Sequence, residues 1–168
     1  HRVDDLADAQ AYISRLNNIG PWFDQVIEQL RIRQQKNFLL ADWQYPQMIQ
    51  AARNITAGTP YDDSAVDSTL WADFKAKVAA LDVDEAQREQ LLAEARKAML
   101  EVVKPAYQRL IAELESQAAK APDADGVWKF ENGAAFYAER LRWFTTTELS
   151  ADEIHNIGLR EVARVQDE

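Results

Sequence analysis

The sequence predicts an all-α fold: a multi-helix antiparallel array of about seven helices, with one long kinked helix and a short extended segment near residues 127–130. Three observations carry this reading. Apolar residues recur at helical spacing through nearly the whole chain. Helix formers are abundant, while Gly and Pro number only five each in 168 residues. Only "VWKF", residues 127–130, reads as a strand.

The first helix comes from "VDDLADAQAYISRLNN", where Leu6, Ala9, Ile13 and Leu16 share a face. Asn17-Asn18 and Gly20-Pro21 predict a break, with Pro21 opening a second helix that carries Trp22, Phe23, Val26, Ile27 and Leu30. Another runs from about Tyr45 to the stop at Gly58 and Pro60, and the next places Val66, Leu70, Phe74, Val78 and Leu81 at near-regular steps. Asp82, with Glu85 three residues on, predicts a capped start for the longest element. Its apolar stripe runs from Leu91 to Leu114, and at 1.5 Å per residue it reaches about 50 Å. Pro105 cannot donate to the Glu101 carbonyl, which predicts a kink there. "APDADG" ends this helix, and a short one follows with Phe136, Tyr137, Leu141 and Phe144. Ser150 and Glu153 form an S-x-x-E box opening the last helix, which directs Ile154, Ile157, Val162 and Val165 inward.

Composition narrows function. The net charge of −9 repels phosphate backbones and disfavours nucleic acid as a partner. No apolar run approaches the roughly 20 residues of a transmembrane helix. With no cysteine, disulfides, thiolate nucleophiles and cysteine zinc sites are excluded. The last helix lacks a Gly or Asn cap and ends on Asp167 and Glu168, where the helix dipole disfavours negative charge. That end predicts a longer protein, of which residues 1–168 are a part.

Chemistry by motif gives little. The two histidines, His1 and His155, form no H-E-x-x-H pair, so no metal site is predicted. "DADG" fails the calcium-loop register, because Gly126 at position 6 puts Ala121 and Asn132 where an Asp and a Glu are needed. Thr145, Thr146, Thr147 and Ser150, beside Glu148, Asp152 and His155, read as caps and turns rather than as a nucleophile with its base. Asp4-Asp5 and Asp62-Asp63 read as solvated helix starts. No catalytic residue is assigned.

One feature stands above this background. Six of sixteen aromatic residues fall between Trp128 and Phe144. Such rings fill a core against the long helix, line a groove for an extended ligand such as a peptide, or do both.

"KPAYQRLIAELE", "GVWKFENGAAFY" and "RLRWFTTTELSADEIHNIGLREVARV" resemble the bacterial family known as domain of unknown function 885. The pattern is matched by Trp128, Gly133, Tyr137, Leu141, Arg142, Thr145, Thr146, Thr147, Ile154, His155, Gly158 and Leu159. Phe130-Glu131 stands where Leu-Pro is usual, Phe136 where a Tyr is usual, and Trp143-Phe144 where a His or another polar aromatic is common. The resemblance implies a longer, largely helical, exported bacterial protein, often a lipoprotein of the cell envelope or periplasm. It also implies a likeness to zinc metallopeptidases, with an H-E-x-x-P-G-H motif downstream. That motif is missing here. The resemblance therefore implies that residues 1–168 are the N-terminal helical part and not a complete catalytic domain. Zinc would belong to the parent protein and no cofactor to this chain.

Under this reading the chain forms one wall of a substrate cleft, with the remainder of its own polypeptide and a peptide substrate as partners. Trp128, Tyr137, Arg142 and His155 are the candidates for substrate contact, and Arg142 offers a fork for a carboxylate. Asp82, Ser150 and Glu153 are expected as structural caps. The rival reading is a self-contained helical interaction module, docking through its long helix and without catalysis. The residues themselves leave a cytoplasmic location open.

Overall fold

A computed structural model of the chain describes residues 2–167, so the expectations resting on His1 and on Glu168 lie outside the described residues. The fold is all-α, and a lone bridge between Thr59 and Asp67 is the only extended pairing among the described residues. The chain divides into two units, His1–Asp123 and Ala124–Glu168.

In the first unit, Asp5 caps α1, Leu6–Gln35, by accepting the Asp8 amide at 2.9 Å. The predicted break at Gly20-Pro21 does not occur, and Pro21 lies inside one helix of 30 residues. A proline here forfeits one backbone bond and costs about 3 kcal/mol. Ala9, Tyr12, Ile13, Leu16, Gly20, Phe23 and Ile27 are buried in one continuous register across it, and full burial of each large side chain is worth about 1.5–3 kcal/mol. The stripe outweighs the proline. The residue before a proline resists helical geometry because its Cβ crowds the ring, and Gly20 has none. The helix ends where Asn37 turns left-handed at φ 60° and the Phe38 amide reaches back to the Arg33 carbonyl at 2.8 Å.

Helix α2, Gln44–Ile55, packs on the later helix Lys104–Ala118, and α3, Thr69–Ala79, packs on the helix Glu85–Ala98. Ser68 caps α3 by accepting the Trp71 amide at 3.3 Å. Val66, predicted on the α3 stripe, instead stands exposed in the loop before it. In that loop the Asp62 carboxylate accepts the Gly58 and Ser64 amides, and these bonds hold it below the usual carboxylate range.

Helix α4, Glu85–Ala98, is capped by Asp84 and not by Asp82. The Gln87 amide donates to Asp84 Oδ1 at 2.8 Å, and Gln87 Oε1 in turn accepts the Asp84 amide at 3.2 Å. Both spacings fit a capping box, but packing separates them. Leu81 is buried and Val83 lies against the core, so the chain stays anchored there through residue 83. The neutral Gln87 also avoids the repulsion of the Asp82–Glu85 pair.

Pro105 does not break the long element. A π-helical turn, Met99–Val103, joins α4 to α5, Lys104–Ala118, and the Lys104 amide donates to the Met99 carbonyl. The wider turn absorbs the missing proline donor and keeps Met99 and Val103 fully buried. Helix α1 lies along α4, the π turn and α5. The core gathers Tyr12, Leu16, Phe74, Val78, Leu91, Ala95, Met99 and Val103.

The second unit holds α6, Gly133–Thr145, and α7, Ala151–Asp167. The segment predicted as extended, 127–130, is a 3-10 turn over Val127–Lys129, and only Phe130 is extended.

Candidate functional site

The turn before α6 is fixed by two glycines. Gly126 has φ 74°, and a Cβ there would lie 2.4 Å from the Trp128 ring, which folds over it. At Gly133 a Cβ would stand 1.9 Å from the Val127 carbonyl oxygen. Hydrogen bonds from the Phe130 amide to Val127 (3.1 Å) and from the Gly133 amide to Phe130 (2.9 Å) close the turn. Local backbone closure thus defeats the strand reading of "VWKF".

The rings that follow are not a core plug. Trp128 is 71% exposed, Trp143 67% and Phe144 78%, with Phe136 and Tyr137 also exposed. Helical spacing sorts α6 into two faces. On one, the Arg140 guanidinium lies 5.6 Å from the Phe136 ring centre and 5.7 Å from that of Trp143. On the other run Tyr137, Leu141 and Phe144.

The threonines terminate α6. The Thr145 hydroxyl donates to the Leu141 carbonyl at 2.8 Å, Thr146 adopts a left-handed φ of 53°, and Thr147 Oγ1 accepts the Leu149 amide at 3.4 Å. Ser150 and Glu153 then form the predicted box. Glu153 Oε2 accepts from the Ser150 amide (2.8 Å) and hydroxyl (2.7 Å), while Ser150 Oγ accepts the Glu153 amide at 3.3 Å. These bonds hold the Glu153 carboxyl below its ordinary range.

Trp128 sits on the 3-10 turn, Tyr137 and Arg142 on α6, and His155 exposed near the start of α7. No hydrogen bond, ion pair or ring contact among the described residues joins any two of these four. Arg142 already faces two carboxylates, Glu148 at 3.5 Å and Glu139 at 3.9 Å. No three His, Cys, Asp or Glu side chains among the described residues converge as metal ligands.

A polar groove in the first unit escapes a motif search. It encloses about 530 Å³ between α1 and α5 and is lined by Asp24, Ile27, Arg31, Arg109 and Glu113 among others. Arg109 holds Asp24 through Nε (3.0 Å) and Nη2 (2.8 Å). Arg31 donates to Glu113 at 2.9 Å, and the Gln117 side chain donates to the other Glu113 oxygen at 2.9 Å. Glu113 is only 8% exposed. Its signal in the sequence is positional: Ala106, Leu110, Glu113 and Gln117 share one helical face, so two polar residues interrupt an inward stripe.

The family model described as "Bacterial protein of unknown function (DUF885)" matches residues 1–168. Among solved structures, the crystal structure of "the putative lipoprotein from Colwellia psychrerythraea" is similar, with a TM-score of 0.84 and 25% sequence identity. The match covers 97% of this chain and 27% of that one, so the chain spans about a quarter of the length of the Colwellia protein. No curated protein matches.

Proposed function

The chain belongs to the bacterial DUF885 family, and on that premise we propose that it is the N-terminal helical part of a longer envelope protein, a metallopeptidase-like hydrolase. It supplies one wall of a substrate cleft, while zinc and its ligands belong to polypeptide outside these 168 residues. One observation carries the cleft wall: Trp128, Phe136, Tyr137, Trp143 and Phe144 are exposed close together in the chain, whereas the first unit buries a core of its own and exposes only scattered rings such as Trp22, Phe38 and Trp43. Exposed rings concentrated on a single turn and helix are a platform for another molecule.

The roles follow from chemistry. Trp128 and Tyr137 offer flat apolar contact, with the phenol as a hydrogen-bond handle. Arg142, more than half exposed, can exchange its distant Glu139 and Glu148 partners for a substrate carboxylate held in fork geometry. His155 supplies a ring nitrogen. The Colwellia lipoprotein supports a cell-envelope or periplasmic location, and no helix among the described residues is long and apolar enough to cross a membrane.

The test uses the product of the whole gene, assayed for bound zinc and for hydrolysis of a peptide library. Tyr137→Phe, Arg142→Lys and His155→Ala are each expected to raise KM by severalfold and leave zinc content unchanged. Unaltered kinetics in all three would reduce these residues to surface. A gene that ends at codon 168, or a remainder with no metal-ligand constellation, would favour the interaction module instead.

A further inference from the structure

Helix α7 carries a face with no use in this chain. Ile154, Ile157, Gly158, Val162 and Val165 follow i, i+3, i+4, i+8 and i+11, the pattern of a core-facing helix. Yet none is buried, and Val165 is 60% exposed. Gly158 adds an independent sign. Glycine inside a helix costs about 1 kcal/mol relative to alanine, and nothing lies within 4 Å of where its Cβ would stand. Within these residues that cost has no structural return. A glycine at the centre of an apolar stripe does gain a return when another backbone approaches closely.

We infer that this face, centred on Gly158, is a helix-packing surface covered by polypeptide of the same molecule lying outside residues 1–168. This rests on the proposal that the chain is part of a longer protein, and not on hydrolase chemistry. The Colwellia lipoprotein carries nearly three quarters of its chain outside the match, so the material to cover the face is present within one molecule. Tethering raises its effective concentration far above that of a second copy. A membrane surface suits the helix poorly: Asp152, Glu153, Glu161 and Asp167 outnumber Arg160 and Arg164, and no aromatic residue lies on it. His155 precedes Leu159 by four residues and Val162 by seven, so it flanks the same surface. The docked polypeptide therefore meets His155 at the edge of this contact.

Amide hydrogen exchange of residues 151–165 tests this, comparing the 168-residue chain with the product of the whole gene. Exchange is expected to be at least tenfold slower in the whole product. Gly158→Leu should reverse that protection at least fivefold there, whereas Gly158→Ala in the 168-residue chain should slow exchange or leave it unchanged. Equal rates in the two proteins would overturn the inference. Protection in the short chain that disappears on dilution would assign the face to a second copy, and protection induced by phosphatidylglycerol vesicles would assign it to a membrane. Zinc content and peptide hydrolysis, measured on the same samples, report separately on the hydrolase reading.

Discussion

Replacing Gly133 by alanine tests the geometry on which the aromatic platform depends. The added Cβ would stand 1.9 Å from the Val127 carbonyl oxygen, 2.5 Å from its carbon and 2.8 Å from Trp128 Cα. All three atoms are backbone, so no rotamer change relieves the contact. The turn must open by roughly 1 Å or more to restore an ordinary separation. That movement breaks the hydrogen bonds from Phe130 to Val127 and from Gly133 to Phe130. Each contributes about 0.5–1.5 kcal/mol net, and steric strain adds about 1–3 kcal/mol. The expected loss is about 2–6 kcal/mol, confined to the second unit.

Exchange mass spectrometry reads this directly. A loss of that size should speed exchange of peptides spanning 126–140 by about 30-fold to 20,000-fold, since 1.4 kcal/mol corresponds to a factor of ten. Peptides from α3 and α4 should keep their rates. Gly158→Ala is the matched control, because the same methyl meets nothing within 4 Å and should stabilise α7 by up to about 1 kcal/mol. Unchanged exchange at 126–140 in Gly133→Ala would mean that the Trp128 turn does not close on α6, and the platform argument would go with it.

Other expectations are shorter to state. Phe74 is fully buried, with its ring centre 4.8 Å from that of Tyr12, so Phe74→Ala should cost about 3–5 kcal/mol, seen as a Tm lower by about 6–20 °C. Asp84→Ala should destabilise by about 1 kcal/mol, whereas Asp82→Ala should stay within about 0.5 kcal/mol; urea titration separates the two, and equal losses would restore Asp82 as the cap. Glu153 has its carboxyl pKa lowered by bonds from Ser150, so its stabilisation of α7 is present above the unfolded carboxyl value near about 4.3 and is lost as pH falls through the folded value. Ser150→Ala removes the hydroxyl donor and keeps the amide, so it should weaken that acid-side loss of protection at residues 151–155, and Glu153→Ala should abolish it. Burial first, and then the Asp73 carboxylate, push the Tyr12 phenol up to about 12. Its contribution to stability is therefore complete below the unfolded value of about 10 and disappears as pH rises through the folded one, and absorbance titration of the folded chain should show a phenol ionising late.

What could be read in advance, and what could not, divides along a physical line. The helices themselves were legible, because a stripe such as Ile13, Leu16, Phe23 and Ile27 states its period without help from distant residues. The Ser150–Glu153 box was equally local, and it forms. Misreadings arose where two local rules competed. Pro21 argues for a break, but the register of seven buried residues on both sides prevails. Asp82 and Asp84 both offer a cap, and the anchoring of Leu81 and Val83 in the core selects the second. "VWKF" has strand composition, but the closure between Gly126 and Gly133 winds it into a 3-10 turn. The apolar face of α7 and the rings of α6 differ from expectation for another reason. Ile154, Ile157, Val162 and Val165 have the same spacing as the buried stripe of α1, yet they stand uncovered. Spacing declares that a face wants a partner; it carries no information about which polypeptide provides one. For α1 the partners are α4 and α5, within the same 168 residues. For α7 and the rings of α6 the apolar surface is exposed, which is why the packing surface inferred above looks for its complement outside residues 1–168.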